Sequence, residues 1–132
     1  MIIFLYSIAA AAFLIYVPFL VVAYARRRIG PEMFSTPRAL LDKLPPYAQR
    51  ATWAHENTFE AFMVFAAAAL MAYVTGVNST KAQVAAIAFV VARFLYSIFY
   101  ILNIPLLRSL MFAIGISSCA TLFFLSIIQA TS

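Results

Sequence analysis

The segment AHENTFEAF, residues 54–62, sets His55, Glu56, Asn57 and Glu60 directly ahead of the apolar run MVFAAAALMAYV. A later segment, ARFLYSIFY, carries Arg93, Tyr96 and Tyr100, and Arg108 with Ser109 follows soon after. Carboxylates, an amide, phenols and guanidinia in this combination suit recognition of a small zwitterion. The planar guanidinium matches a carboxylate in a bidentate fork, and a Glu carboxylate accepts hydrogen bonds from an ammonium. The whole chain has only four acidic residues. Two of them at the mouth of an apolar run call for a physical reason.

The elements that must position these groups are membrane spans. Of 132 residues, 66% are hydrophobic and 10% charged, with a mean hydropathy of +0.99. A soluble domain of this size is about half apolar and about a quarter charged, so this chain lacks the polar surface to cover a globule in water. A spanning helix needs about 20 apolar residues. Such runs are read at about 2–25, 51–74, 81–102 and 107–129. The first lacks a basic leader and is too long for a secretory h-region, so it is expected to be a retained helix. The connections after residue 74 are short, which predicts antiparallel neighbours in an all-α, four-helix membrane bundle forming one domain over residues 1–132.

Charge placement predicts topology. Arg26, Arg27, Arg28, Arg38, Lys43 and Arg50 lie between the first two runs, and Arg108 opens the fourth, whereas the other side has Lys81 near its loop. The positive-inside rule puts the basic 26–50 connection on the cytoplasmic side and both termini on the opposite side. This placement explains the net charge of +5 without nucleic acid as a partner. One His, one Cys and three Gly cannot build a zinc, haem or phosphate-loop motif, so no metal is expected. Cys119, inside the fourth run, reads as a small buried apolar residue.

Each charge within a span costs roughly 2.5–3.5 kcal/mol on insertion scales and tends to face the protein interior. At about 1.5 Å of rise per residue, Glu60 and Arg93 both lie about 15 Å in from the basic side, so they are expected to neutralise one another. At about 100° per residue, Arg50, Trp53, Asn57 and Glu60 share an arc of about 80°. Glu56 borders the arc and His55 points away from it. Arg93, Tyr96 and Tyr100 share a face of the third helix. A lone buried Glu–Arg pair could do no more than fix helix register. So many polar groups at one depth exceed what register requires, and they predict a polar cavity in the basic half of the bundle.

Glutathione, with two carboxylates, an ammonium and a thiol, fits such a cavity, as do other amino-acid-like ligands. RATWAHENTFEAF, from Arg50 to Phe62, resembles the second-helix signature of the MAPEG proteins. These are membrane-associated proteins in eicosanoid and glutathione metabolism, including microsomal glutathione transferases and prostaglandin E synthase. The matching positions are Arg50, His55, Asn57 and Glu60; Arg93 and Tyr100 match the third-helix pattern, and Arg108 with Ser109 the start of the fourth.

The resemblance implies a homotrimer with glutathione, as co-substrate, bound between neighbouring protomers. It implies that Asn57, Glu60, Arg93 and Tyr100 hold the peptide; the helix faces add Arg50 and Tyr96 to the same polar set. Arg26 would reach in from the adjacent protomer, and Arg108 with Ser109 nearby would stabilise the thiolate. The expected activity is a glutathione-dependent transferase or peroxidase acting on lipophilic electrophiles delivered by the surrounding membrane lipids. Two positions depart from the prostaglandin synthase branch: Glu56 stands in place of an Arg, and Tyr96 in place of a His. These departures keep a second reading open, a non-catalytic membrane scaffold or accessory subunit that retains the fold.

Overall fold

The computed structural model describes residues 2–132. Four long helices account for most of them: α1 Ile2–Ile29, α2 Pro46–Thr75, α3 Thr80–Ile101 and α4 Pro105–Thr131. All four are long and apolar enough to cross a membrane. The chain is therefore an all-α, four-helix protein of the integral, multi-pass kind. Its surface bears this out: Phe13, Leu20, Val74, Leu106 and Phe124 are exposed, whereas Ser7, Thr58, Arg93, Ser97, Ser118 and Ser126 are buried. In water that pattern would be inside out; in lipid it is the favourable one.

The helix ends follow local chemistry. α1 runs on to Ile29, past the expected end near residue 25, so Arg26, Arg27 and Arg28 form its last turn. Cations there interact favourably with the carbonyl end of the helix dipole. α2 begins at Pro46 rather than near 51, with Pro45 extended and Pro46 in the first turn, where its missing N–H is no loss. Its 30 residues make a rod of about 45 Å. That exceeds a hydrocarbon core of about 30 Å, so the first turns of α2 reach beyond it. Gly76 closes α2 in the left-handed region at φ 79, and Val77 N–H donates to the Ala72 carbonyl at 3.0 Å. Ser79 caps α3, its Oγ accepting from Ala82 N–H at 3.2 Å.

Small residues let the helices approach closely, the usual solution in lipid. α2 packs on α1, α3 and α4, and α3 packs on α1 as well. Ala68, Ala69 and Ala72 of α2 meet Ala82, Ala86 and Phe89 of α3 in one apolar cluster, with Phe4, Ala11 and Leu122. Of the AAAA stretch at 66–69, only Ala68 and Ala69 are fully buried and Ala67 is exposed. Four consecutive residues sweep most of the way round a helix, so they cannot share one face. A second cluster joins Val22 and Ala25 of α1 to Ala48 and Ala51 of α2. The connection between these helices folds as two 3-10 turns, Pro31–Phe34 and Leu41–Lys43, and anchors on that cluster through Met33 and Leu44. The polar residues 54–60 of α2 and 93–100 of α3 lie between the two clusters along the chain.

Pro18 is buried inside α1. Its ring removes one backbone donor and loosens the preceding turn. The imidazole of His55 meets α1 in that turn, with Nδ1 2.7 Å from the Ile15 carbonyl. A carbonyl only accepts, so Nδ1 carries the proton. His55 thus ties α2 to α1, which accounts for its orientation away from the Asn57–Glu60 stripe.

The α3–α4 turn sets how α4 lies over Arg93. Asn103 adopts φ 60, and Ile104 N–H donates to the Phe99 carbonyl at 2.9 Å, a left-handed closure that Pro105 then follows with a new helix. Asn103→Gly is expected to keep the closure and the thermal midpoint in detergent. Asn103→Val should lose about 1–2 kcal/mol, the cost of a left-handed residue bearing a bulky Cβ. Equal midpoints for the two variants would show that this turn does not constrain the bundle.

Candidate functional site

Arg93 is the centre of the polar layer. It sits on the inner face of α3, only 2% exposed. Its Nη2 donates to Asn57 Oδ1 at 2.8 Å and to Thr58 Oγ1 at 3.1 Å, both on α2. Its guanidinium carbon lies 3.9 Å from the centroid of the Tyr96 ring, a cation–π contact one turn along the same helix. The Thr58 hydroxyl is also 3.5 Å from Ser97 Oγ. One hydroxyl, backed by a second, together with an amide and an aromatic face thus solvates a cation that the bilayer cannot.

The expected Glu60–Arg93 ion pair is not formed. Both residues line one cavity, but the hydrogen bonds of Arg93 go to Asn57 and Thr58, and Glu60 is exposed. The shared depth was right and the pairing was not. Depth fixes height along the bundle, whereas pairing requires both side chains to turn toward each other. Asn57 and Thr58 stand closer to the α2–α3 contact and reach the guanidinium first. Arg93 Nε is buried and has no hydrogen-bond partner. A buried donor left unpaired costs about 1–3 kcal/mol, more when charged.

The cavity has a volume of about 400 Å³ and lies among α2, α3 and α4. Asn57, Glu60 and Arg93 form its polar end; Phe89, Phe112, Gly115 and Cys119 continue its wall. From Arg93 a ladder of rings runs toward the start of α4. Tyr96 meets Tyr100 edge to face at 5.6 Å between centroids, and the Arg108 guanidinium carbon stands 4.5 Å from the Tyr100 centroid. Arg93 and Arg108 are therefore linked through the two phenols that the sequence placed on one face of α3. Tyr96 also leans on Phe112 at 6.3 Å, which brings the first turns of α4 into the same group.

Other candidates fall outside this group. Arg50 Nε donates to the Ile101 carbonyl at 3.1 Å, so it pins the start of α2 to the end of α3 by satisfying a C-terminal carbonyl. Trp53, from the same stripe, is 41% exposed. Ser109 is exposed and is not part of the cavity wall. Arg26 lines a second cavity of about 450 Å³ between α1, α2 and their connection, together with Arg38, His55, Glu56 and Glu60. Glu60 borders both cavities. Arg26 Nε, like that of Arg93, is buried without a partner. Among the described residues no three metal-ligating side chains converge.

Thr58, Phe112 and Gly115 had no place in the sequence reading. A Thr inside a helix commonly bonds its own backbone, and nothing in its type points to a cation on another helix. Ser97, one turn from Arg93, was the available signal that small hydroxyls flank the guanidinium.

A sequence profile described as the MAPEG family matches residues 3–128, nearly the whole chain. No curated protein and no solved structure matches it significantly.

The Asn57–Arg93 bond is testable by a double-mutant cycle in detergent unfolding. Asn57→Leu alone is expected to lose about 1.5–3 kcal/mol, the worth of a hydrogen bond to a charged group. In an Arg93→Met background the same change should cost little, because the cation it served is gone. Strictly additive losses would show that the bond contributes nothing.

Proposed function

This chain belongs to the MAPEG family, and from that premise we propose that its α2–α3–α4 cavity binds glutathione. On this reading the protein is a glutathione-dependent transferase or peroxidase that acts on lipophilic electrophiles in the membrane. The observation that carries it is Arg93: a buried cation with an unpartnered Nε, in the wall of a cavity that Asn57 and Glu60 also line. Such a donor set fits a ligand carboxylate on the guanidinium, with Glu60 accepting from an ammonium. Bound this way, the peptide would satisfy a donor of Arg93 that the protein leaves unmet.

Arg108 would then act on the sulfur. It is half-buried at the first turn of α4 and its guanidinium is held over Tyr100. A cation beside a thiol lowers its pKa and raises the thiolate fraction. The thiolate attacks the electrophilic carbon, the C–S bond forms and the leaving group departs with its electron pair. The nucleophile comes from the ligand, so the protein's contribution is orientation and electrostatic stabilisation. Tyr96 and Tyr100 hold the two guanidinia at a fixed spacing. Arg26 is assigned to glutathione binding through an adjacent protomer of a homotrimer, Arg50 to the same polar set from the start of α2, and Ser109 to support of Arg108. The basic 26–50 connection faces the cytoplasm on this reading, with both termini opposite.

One observation favours a second reading. Asn57 and Thr58 already bond Arg93 internally, as a purely structural polar layer would. A non-catalytic scaffold of this kind predicts stable association with another membrane complex and no glutathione-dependent thermal shift.

Turnover separates the two. Purified protein with glutathione and 1-chloro-2,4-dinitrobenzene is expected to show conjugation that falls about 100-fold in Arg108→Ala, the scale of losing one charge-stabilising donor. Arg93→Met should weaken glutathione binding. Rates no higher than the uncatalysed reaction, together with no thiolate absorbance, would overturn the enzymatic reading.

A further inference from the structure

Several arginines of this chain are engaged inside the protein. Arg50 bonds the Ile101 carbonyl, Arg93 bonds Asn57 and Thr58, Arg108 stands over Tyr100 and Arg26 lines a cavity. Arg27 and Arg28, in the last turn of α1, are both exposed. α1 contains no Asp or Glu, and the next acid along the chain, Glu32, folds its carboxylate back over Gly30. Two adjacent guanidinia with no acid on their own helix attract an anion from outside the chain.

Their position says which anion. At about 100° per residue, Phe13, Leu20, Tyr24, Arg27 and Arg28 fall within an arc of about 100° on α1. Phe13, Leu20 and Tyr24 are exposed, so the lipid-facing stripe of α1 leads into the two arginines. The 28 residues of α1 make a rod of about 42 Å. Against a hydrocarbon core of about 30 Å, its last turn stands at the depth of the lipid headgroups. A phosphate at the head of an acyl chain lying along Phe13 and Leu20 reaches that turn. A soluble acidic partner has no use for the apolar stripe below it.

Tyr24 gives the pair a defined shape. Arg28 Nη1 donates to Tyr24 Oη at 3.0 Å, and its guanidinium carbon lies 5.8 Å from the ring centroid. The hydroxyl accepts from the arginine and keeps its own hydrogen to donate. The bond holds the Arg28 side chain back along the stripe, so less rotamer freedom is lost when an anion binds. Guanidinium N–H groups fork onto two phosphate oxygens, and a tyrosine at the membrane interface keeps its ring in the apolar layer and its hydroxyl at the headgroups.

We propose that Tyr24, Arg27 and Arg28 form a clamp for the phosphate of one anionic phospholipid, whose acyl chain lies along the outer stripe of α1. No carboxylate stands on this helix to receive a choline or ethanolamine cation, so a headgroup of net negative charge is preferred over a zwitterionic one. None of the three residues lines the α2–α3–α4 cavity, and the clamp holds whether or not that cavity binds glutathione.

The experiment titrates phosphatidylglycerol, and in parallel phosphatidylcholine, onto the full chain in a neutral detergent, with bound lipids counted by native mass spectrometry. Wild type is expected to retain one phosphatidylglycerol per chain, up to roughly 25-fold more tightly than phosphatidylcholine, about fivefold for each arginine at an anionic surface. Arg28→Gln should lose about fivefold, and Arg27→Gln combined with Arg28→Gln the whole preference. Tyr24→Phe, which keeps the ring and removes the hydroxyl, should lose roughly threefold, the lower range for a hydrogen bond. Lys43→Gln, at an exposed cation of the connection, should leave the preference unchanged. Equal affinities for the two lipids, or the same loss in Lys43→Gln as in Arg28→Gln, would show a diffuse positive surface and overturn the clamp. Displacement by an equal concentration of glycerol phosphate, which lacks the acyl chains, would overturn the lipid as occupant. A second copy of the chain on the stripe would also overturn it, seen as an oligomer that the double arginine variant dissociates with no lipid retained.

Discussion

A guanidinium buried in a bundle that lies in lipid is the constraint around which this structure is arranged. Arg93 cannot reach bulk water, and the price of an unsolvated charge in a low-dielectric interior is several kcal/mol. No carboxylate bonds it. Instead Asn57 Oδ1 and Thr58 Oγ1 accept from its Nη2, Ser97 supports the Thr58 hydroxyl, and the Tyr96 ring covers one face. Neutral groups spread over two helices lower the cost without discharging the cation. A site of that kind retains its attraction for an anion, which a tight ion pair would have spent.

The rest of the bundle holds this arrangement still. Alanine contacts allow α2 and α3 to approach closely enough for the short Asn57 and Thr58 side chains to reach across. Three further ties act on helix ends and weak points rather than on the core. Arg50 satisfies a carbonyl at the end of α3. His55 takes up a carbonyl in the turn that Pro18 loosens. Asn103 turns the chain sharply enough for α4 to pack back over Arg93 and Phe89. Arg50 and His55 each give a backbone carbonyl a side-chain partner from another helix, whereas Asn103 acts through its left-handed backbone.

Glu56 and Glu60 answer the question raised by acids at the mouth of a span. Both are exposed on α2 and both line the cavity shared with Arg26 and Arg38. Glu60 alone also borders the Arg93 cavity. One carboxylate thus stands between two regions of positive charge, and its solvation comes from the cavities rather than from a single partner. That position is consistent with contact to a ligand ammonium and inconsistent with a role limited to locking two helices in register.

The sequence alone determined the number and order of spans, the bundle class and the height of the polar layer. Hydrophobic run length and one-dimensional rise fix those quantities before any packing occurs. It also placed Arg93, Tyr96 and Tyr100 on a common face, because the helical period sets angles around a helix's own axis. It did not determine which neighbour each face meets. Glu60 was matched to Arg93 by depth, yet the rotation of α2 against α3 presents Asn57 and Thr58 instead. The same period put Arg50 and Trp53 on the stripe of Asn57, but Arg50 bends its long stem to Ile101 and Trp53 faces outward. Gly115 carried no signal at all, since a missing side chain matters only where groups of another helix, here Arg93 and Phe89, pack against it. Rotation between helices and the space left between them are properties of the packed bundle, and only the tertiary structure could decide them.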